Sequence, residues 1–321
     1  MRTINLFSLL LLSVTLSLGQ STPSEEWEAN RWWPDWGFNG AFPVKVIPIG
    51  HHDGEQYEFA VHSRDNIVIR RRPLEGGTET ASVLPMRFQG MNRRLIDVKL
   101  VRGRLFMFSS YDVFLDKENH IMVDELDIKS LRWIGGPRTV LWVQESRPVG
   151  TRIDVSPDQS KIVVFAPERN KKRELLSYSY RVFDHNMNPT WSRTHQLPFS
   201  RQQCEIGPIF LNDQGDLIVS SRLRSRSDQP EEKMYLLAHQ HGGHDATFHE
   251  IDFHNEVIQS FRLHFAADGT AMVDGVYEQV ADQQRGSFRF TIDAVSGKMS
   301  PIRRRPFIET EPDPKPSAQI H

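Results

Sequence analysis

Four of the seven tryptophans lie close together near the start of the chain, at Trp27, Trp32, Trp33 and Trp36. Indole rings stack on sugar rings and anchor protein partners, because a large apolar face is combined with a hydrogen-bonding nitrogen. The alternative is that this stretch packs against the rest of the fold and buries the rings. The sequence therefore predicts either a ligand-binding surface or a packing arm over residues 20–43.

A second group with chemical potential is the alternating row Arg222, Arg224 and Arg226. Successive side chains of a β-strand point to opposite faces, so this spacing places three guanidinium groups on one face. Such a row predicts a contact with an anion or polyanion. The alternative is protection of a strand edge, since charged side chains oppose edge-to-edge pairing.

Five histidines fall within one short stretch of the sequence. They are His239, His241, His244, His249 and His254. Neutral imidazoles bind transition metals, but this spacing matches no metalloenzyme motif, because His254 follows His249 at the fifth position instead of the fourth. We therefore expect an exposed polar hairpin here, with no metal and no other cofactor.

Acidic residues form a further cluster in the first half of the chain. They are Asp112, Asp116, Asp124, Glu125 and Asp127. Paired carboxyl groups catalyse glycoside hydrolysis when they flank the scissile bond. The same residues commonly cap turns or face solvent. Nucleophile-elbow and phosphate-binding motifs are absent from the sequence, so no catalytic residue is assigned.

These residues must be positioned by a repeated unit. Turns rich in Asp, Asn and Gly precede hydrophobic strands at Asp53, Gly103, Asp158, Asp213 and Asp268. The first spacing is 50 residues and the next three are 55. A fixed period of this length is typical of repeat architectures.

The later units contain a second hairpin in the same phase, which gives four short strands for each period. Four-stranded antiparallel units in tandem are the blades of a β-propeller, so we predict an all-β fold. Five blades are expected, at residues 44–97, 98–150, 151–205, 206–258 and 259–307. Six blades, an open array or an all-β sandwich are the alternatives.

One turn carries a resemblance to a known family. The segment Val155–Phe165, with Ser156-Pro157-Asp158 before a hydrophobic strand, resembles the WD-like repeat of TolB-type propellers, although Gln159 stands where that repeat usually has glycine. The segment Tyr180–Leu223 is similar to exported propeller-like proteins of Gram-negative bacteria. The resemblance spans roughly residues 100–300 and implies a fold without a named activity.

The ends of the chain predict its destination. Arg2 followed by the apolar run Leu6–Leu18 and small residues up to Gly19 is typical of a secretory signal peptide over residues 1–19. We therefore expect export to the periplasm or the extracellular space, with no membrane span in the mature chain. Residues 308–321 are polar and proline-rich, which predicts a disordered tail.

Composition narrows the function classes. The 39 basic and 41 acidic residues give a formal net charge of −2, which argues against a nucleic-acid partner bound through bulk charge. The single cysteine, Cys204, excludes an intramolecular disulfide, and we expect it to be buried as a small hydrophobe.

The sequence as a whole predicts an exported, non-catalytic propeller that acts as a protein-interaction or cell-envelope scaffold over residues 44–307. The alternative is a propeller-fold carbohydrate-active enzyme or glycan-binding protein. The expected partner is accordingly a protein or a glycan.

Overall fold

The computed structural model describes part of the chain. The described residues are 46–63, 66–88, 90–113, 118–144, 150–168, 175–200, 202–223, 233–241, 246–253, 256–266, 268–279, 284–293 and 298–307. All of them belong to one compact unit, Phe38–Pro314. The predicted signal peptide, tryptophan-rich arm and C-terminal tail lie outside the described residues. Within the described stretches, no helix has the length and hydropathy of a membrane span.

The described residues form five four-stranded antiparallel sheets, each built from four strands that follow one another along the chain. We number these sheets blade 1 to blade 5. Blade 1 contains β1 (Val46–His52), β2 (Glu55–Ser63), β3 (Asn66–Pro73) and β4 (Thr80–Pro85), and a short hairpin, β5 (Arg87–Phe88) and β6 (Met91–Asn92), follows it. Blade 2 contains β7 (Arg94–Val101), β8 (Arg104–Val113), β9 (Glu118–Leu126) and β10 (Trp133–Val143).

The remaining three blades repeat this plan. Blade 3 contains β11 (Arg152–Val155), β12 (Lys161–Glu168), β13 (Leu175–Asp184) and β14 (Pro189–Ser200). Blade 4 contains β15 (Cys204–Leu211), β16 (Leu217–Leu223), β17 (Lys233–His239) and β18 (Ala246–Asp252). Blade 5 contains β19 (Glu256–Phe265), β20 (Ala271–Gln279), β21 (Arg285–Ile292) and β22 (Arg303–Pro306).

The prediction of an all-β propeller with about five blades is confirmed. The hydrophobic run Thr139–Val143 is the end of β10, the fourth strand of blade 2. The strand begins six residues earlier, at Trp133. Its first half does not look like a strand in the sequence, because Gly135-Gly136-Pro137 interrupts the hydrophobic pattern.

Burial explains why the middle strands are so apolar. Residues Ile162–Ala166 of β12 are all fully buried, which requires that both faces of the sheet be covered. Strands that are covered on both faces show continuous hydrophobic runs instead of alternation. A single blade cannot provide that cover, so neighbouring blades must pack against it.

Four hydrophobic clusters fill the spaces between consecutive blades among the described residues. Each cluster draws buried side chains from two neighbouring sheets. Representative pairs, from the blade 1–2 interface to the blade 4–5 interface, are Phe59 with Met107, Phe108 with Val164, Phe165 with Leu237, and Leu236 with Phe290. Blades 2, 3 and 4 are therefore each packed on both faces.

Candidate functional site

In each blade, the turn from the first to the second strand and the turn from the third to the fourth strand lie at the same end of the sheet. We call this end of the blades the turn face. On this face, the turns between the first and second strands of neighbouring blades are hydrogen-bonded to one another. The backbone N–H of Arg102 donates to Oε1 of Gln159 at 2.7 Å, and the backbone N–H of Asp158 donates to Oδ1 of Asp213 at 3.0 Å. The repeated turns predicted from the sequence therefore align the blades.

The neighbouring carboxyl groups of Asp158 and Asp213 titrate differently. Burial opposes ionisation of Asp158, but hydrogen bonds from Ser156 and Ser160 outweigh it and lower the pKa of Asp158 to about 2. Burial and the Asp158 carboxylate raise the pKa of Asp213. Oδ1 of Asp213 accepts the backbone N–H of Asp158, and Oδ1 of Asp158 accepts from Ser156 and Ser160, so both carboxyl groups align turns.

A cleft of about 290 Å³ opens on the turn face between blades 2 and 3. We call it the Arg104 cleft. It is lined by Arg104, Phe106, Val123, Glu125, Ile134, Gly136, Arg138 and Asn186. Strand pairing explains this set, because directly paired residues share a face of the sheet. Phe106 and Ile134 both pair with Glu125, and Arg138 pairs with Val123, so these side chains all point towards blade 3.

A fork of charged groups holds one wall of the Arg104 cleft rigid. Nε and Nη2 of Arg104 donate to the two carboxylate oxygens of Glu125, at 2.8 and 2.7 Å. Nη1 of Arg104 donates to Oδ1 of Asn186 at 2.7 Å, across the boundary between the blades. The guanidinium carbon also lies 5.1 Å from the centre of the Phe106 ring. Bidentate pairing and ring stacking together fix the orientation of the guanidinium plane.

A β-bulge shapes the opposite wall. Ile134 pairs with Glu125 and Arg138 with Val123, so Gly135, Gly136 and Pro137 together oppose the single residue Asp124. Gly135 has a φ of +76°, a conformation that favours glycine. The two additional residues preserve the alternation of faces, so Arg138 stays on the face of Glu125 while the bulge arches outwards. Bulges of this kind are common next to functional sites because they redirect a side chain.

The Arg104 cleft was missed by sequence reasoning, with the exception of Glu125. Arg104 and Asn186 are separated by 82 residues and meet only because blade 2 packs against blade 3. The signal that could have been used is the Gly135-Gly136-Pro137 segment. Glycine inside a strand pattern indicates a bulge or a close backbone approach.

A second exposed feature is an aromatic row across blade 2, formed by Tyr111, His120 and Trp142. His120 pairs with Tyr111 on one side and with Trp142 on the other. The Tyr111 and His120 rings are stacked with centroids 5.0 Å apart, and Trp142 is 53% exposed. The row lies on the face of blade 2 opposite to the Arg104 cleft. Such a surface matches the apolar face of a sugar ring.

The residues predicted to bind a ligand are mostly outside the described part of the chain. Trp27, Trp32, Trp33 and Trp36 lie there, as do Arg224 and Arg226. Arg222 is described, and its Nη2 donates to the carbonyl oxygen of Ile258 at 3.0 Å, joining blade 4 to blade 5. A ligand-binding role for these seven residues stays a prediction.

The acidic cluster is divided between separate environments. Glu125 lines the Arg104 cleft, whereas Asp124 is buried on the opposite face of the sheet in an ion pair with Arg93. Burial raises the pKa of Asp124, and Arg93 opposes this increase. Alternation along β9 therefore prevents these two neighbouring carboxyl groups from acting together.

The other members of the acidic cluster stabilise local structure. Asp112 accepts hydrogen bonds from Asn119 and Arg94. Asp127 accepts the backbone N–H of Ser130 at 2.6 Å and so caps the turn between β9 and β10. Asp116 lies outside the described residues.

The histidine stretch differs from the expected exposed hairpin. His239 is 1% exposed, because β17 places its ring against blade 3, where Nε2 and the Tyr178 hydroxyl are 2.6 Å apart. Burial, and then the charges of His195 and Arg193, lower the pKa of His239 to about 3. His241 is exposed, and its ring meets the edge of Trp191.

Two further predictions concern metal binding and Cys204. His244 and His254 lie outside the described residues. Across the described stretches, no group of three or more metal-ligating side chains comes together. Cys204 is buried at the start of β15, as predicted.

Comparison with known proteins gives no match by sequence and distant likenesses by structure. No protein-family model matches the sequence, and no curated protein resembles it. Solved structures do resemble it in fold. An α-L-arabinofuranosidase from Fusarium graminearum aligns with a TM-score of 0.44 at 11% identity, over 81% of this chain and 80% of that one. An α-L-arabinanase from Penicillium chrysogenum aligns with a TM-score of 0.46 at 10% identity, over 82% and 81% of the two chains.

A third similar structure is the polysaccharide lyase Uly1, with a TM-score of 0.47 at 9% identity, over 86% of this chain and 76% of that one. At such low identities the likeness concerns the fold. The propeller implied by the TolB-type resemblance is confirmed, whereas the finer TolB or WD-like identity gains no support from these structures.

The prediction of a non-catalytic scaffold is corrected by the same comparison. Each of the three structures is a carbohydrate-active enzyme. The scaffold prediction relied on the absence of recognisable catalytic motifs, and such an absence does not exclude an enzyme. We therefore take up the alternative, a carbohydrate-active or glycan-binding propeller.

Proposed function

We propose that the protein is a carbohydrate-active propeller that binds a saccharide in the Arg104 cleft. The observation that carries this proposal is the fixed Arg104–Glu125–Asn186 fork on one wall of the cleft. Sugar hydroxyl groups both donate and accept hydrogen bonds, so they bind best where charged or amide groups provide hydrogen-bond donors and acceptors together. The fork offers such groups side by side.

The remaining lining also suits a sugar. Ile134 is 51% exposed and lines the cleft, which adds apolar surface for the C–H face of a ring. The volume of about 290 Å³ lies near the lower end of small-molecule sites, which begin at about 300 Å³. A cleft of this size accommodates one or two sugar units, with the rest of an oligosaccharide along the surface.

The test is a binding titration with neutral and acidic oligosaccharides, including arabinobiose, by isothermal calorimetry. Asn186→Ala removes the exposed amide that accepts from Arg104 and leaves the Arg104–Glu125 pair intact. We expect this variant to bind about twofold to tenfold more weakly, the effect of losing one hydrogen bond between neutral groups. The matched control is Gln214→Ala, which removes an exposed amide from a turn of blade 4.

Two outcomes would refute the proposal. One is that none of the oligosaccharides binds the wild-type protein. The other is that Asn186→Ala and Gln214→Ala have the same affinity as the wild type for a saccharide that does bind. Release of reducing ends or of unsaturated sugars from the same oligosaccharides tells whether binding leads to cleavage.

We further propose that the protein works outside the cytoplasm, after cleavage of a signal peptide near Gly19. The support is the sequence of residues 1–19, with its basic start, apolar run and small residues. Mass spectrometry of the exported protein should find a mature chain that begins at Gln20. Recovery of an uncleaved chain from the cytoplasm would contradict this.

A further inference from the structure

The Arg104 cleft contains two arginines, Arg104 and Arg138, which differ in whether a carboxylate balances their charge. The charge of Arg104 is balanced by the bidentate pair with Glu125. Arg138 has no carboxylate partner within the described residues, and its Nη2 donates to the carbonyl oxygen of Asn186 at 3.4 Å. The cleft therefore carries one uncompensated positive charge, on an exposed side chain at its rim.

The backbone around Arg138 limits the positions that its guanidinium group can take. Arg138 is paired with Val123 immediately after the Gly135–Pro137 bulge, and Val140 and Leu141, two and three residues later, are buried in the blade 2–3 cluster. The long bond to Asn186 holds the guanidinium next to the amide that receives Arg104. A cation that is anchored but unpaired, at the mouth of a polar cleft, is suited to an incoming anion.

We propose that the saccharide bound in the Arg104 cleft carries an anionic group, the carboxylate of a uronic acid or a sulfate ester, and that Arg138 binds this group. The inference rests on the proposed function and specifies its substrate class. The planar guanidinium presents parallel N–H donors that match two oxygens of either group. A neutral saccharide would leave this charge without a partner.

The experiment compares three probes of equal length, a galacturonate oligomer, a sulfated galactose oligomer and a neutral galactose oligomer, by calorimetry. We expect the wild type to prefer an anionic probe over the neutral one by about tenfold to a hundredfold, as for a hydrogen bond to a charged group. The preference should decrease at high salt, since the site is exposed. Comparison of the two anionic probes identifies which group is recognised.

The decisive variant is Arg138→Gln, which we expect to bind the anionic and neutral probes with similar affinity. Arg132→Gln is the matched control, because it removes an exposed arginine from the turn that precedes β10, outside the lining of the cleft. The inference is overturned if the wild type does not distinguish the probes, or if Arg138→Gln behaves like Arg132→Gln. Binding of the neutral probe that depends on Asn186, without preference for an anion, would retain the proposed function and reject the anionic class. Failure of every probe would reject both.

Discussion

Replacing the buried imidazole of His239 should remove much of the acid sensitivity of the fold. The ring is enclosed between blades 3 and 4, next to Tyr178 and His195, and burial with neighbouring positive charge lowers the pKa of His239 to about 3. The unfolded chain protonates this group near the ordinary value of 6.5. Because the folded state excludes the proton, stability is retained above pH 6.5 and is lost as the pH falls below that value.

The size of the effect follows from proton linkage. Each pH unit between the unfolded and folded pKa values costs about 1.36 kcal/mol of unfolding free energy. From the ordinary value of 6.5 down to pH 5, His239 should therefore destabilise the fold by about 2 kcal/mol. His195 adds to this in the same direction, since burial and the charge of Arg193 lower the pKa of His195 as well.

The assay is urea unfolding at pH 7 and pH 5, for the wild type and His239→Gln. Glutamine places a nitrogen close to the position of Nε2, so the hydrogen bond with Tyr178 can be kept while the titration is removed. We expect the loss of stability between the two pH values to be about 2 kcal/mol smaller in the variant. His51→Gln, which changes an exposed histidine of β1, is the control and should show the full loss.

Parallel stability profiles of the wild type and His239→Gln would refute the reasoning, since they would mean that the folded protein protonates His239 without cost. If the glutamine variant does not fold, the wild type still provides a test. Its His239 ring nitrogens, followed by NMR, should keep the chemical shifts of a neutral imidazole from pH 7 to pH 5. Shifts that titrate near 6.5 would give the same refutation.

Three other substitutions test the packing of the blades by urea unfolding. Gly103→Ala should lose about 1 to 2 kcal/mol from its φ of +75°. The new Cβ would lie 2.5 Å from Nε2 of His52, but that ring end can move, so adding His52→Ala should recover little; a neutral Gly103→Ala would contradict this. Arg93→Met should cost about 3 to 5 kcal/mol by leaving Asp124 buried without its partner, whereas Arg93→Met with Asp124→Leu should cost much less; equal losses would disprove the ion-pair argument. Phe165→Ala should cost about 3 to 5 kcal/mol at the blade 3–4 interface, and a loss below about 1 kcal/mol would mean that the cluster repacks.

The blades could be predicted from the sequence because their determinants are local. The turns at Asp158, Asp213 and Asp268 each connect two adjacent strands, so residue type and spacing were sufficient. Asp158 illustrates this, since its Oδ1 accepts from Ser156 and Ser160, two residues away on either side. Short-range hydrogen bonds of this kind leave a clear sequence pattern.

The candidate site could not be predicted in the same way because its determinants are non-local. Asn186 belongs to a turn of blade 3 and reaches Arg104 only through the packing of two sheets. The face on which Arg138 lies depends on how many residues the bulge contains, and pattern analysis does not count them. His239 shows the same limit, because its neighbours in sequence look like an exposed hairpin while its neighbours in space are Tyr178 and His195.

Each sheet uses four strands that are contiguous in the chain, and this has a consequence for how the protein loses its structure. Every ladder is completed within about 50 residues, so a blade forms without waiting for distant parts of the chain. Within the described part of the chain, cooperativity then passes between adjacent blades through the hydrophobic clusters that they share. Among the described residues, blades 1 and 5 each share one hydrophobic cluster, whereas the three middle blades share two. Amide protons of the end blades should therefore exchange with solvent first, and partial unfolding should proceed inwards while the Arg104 cleft, between blades 2 and 3, persists.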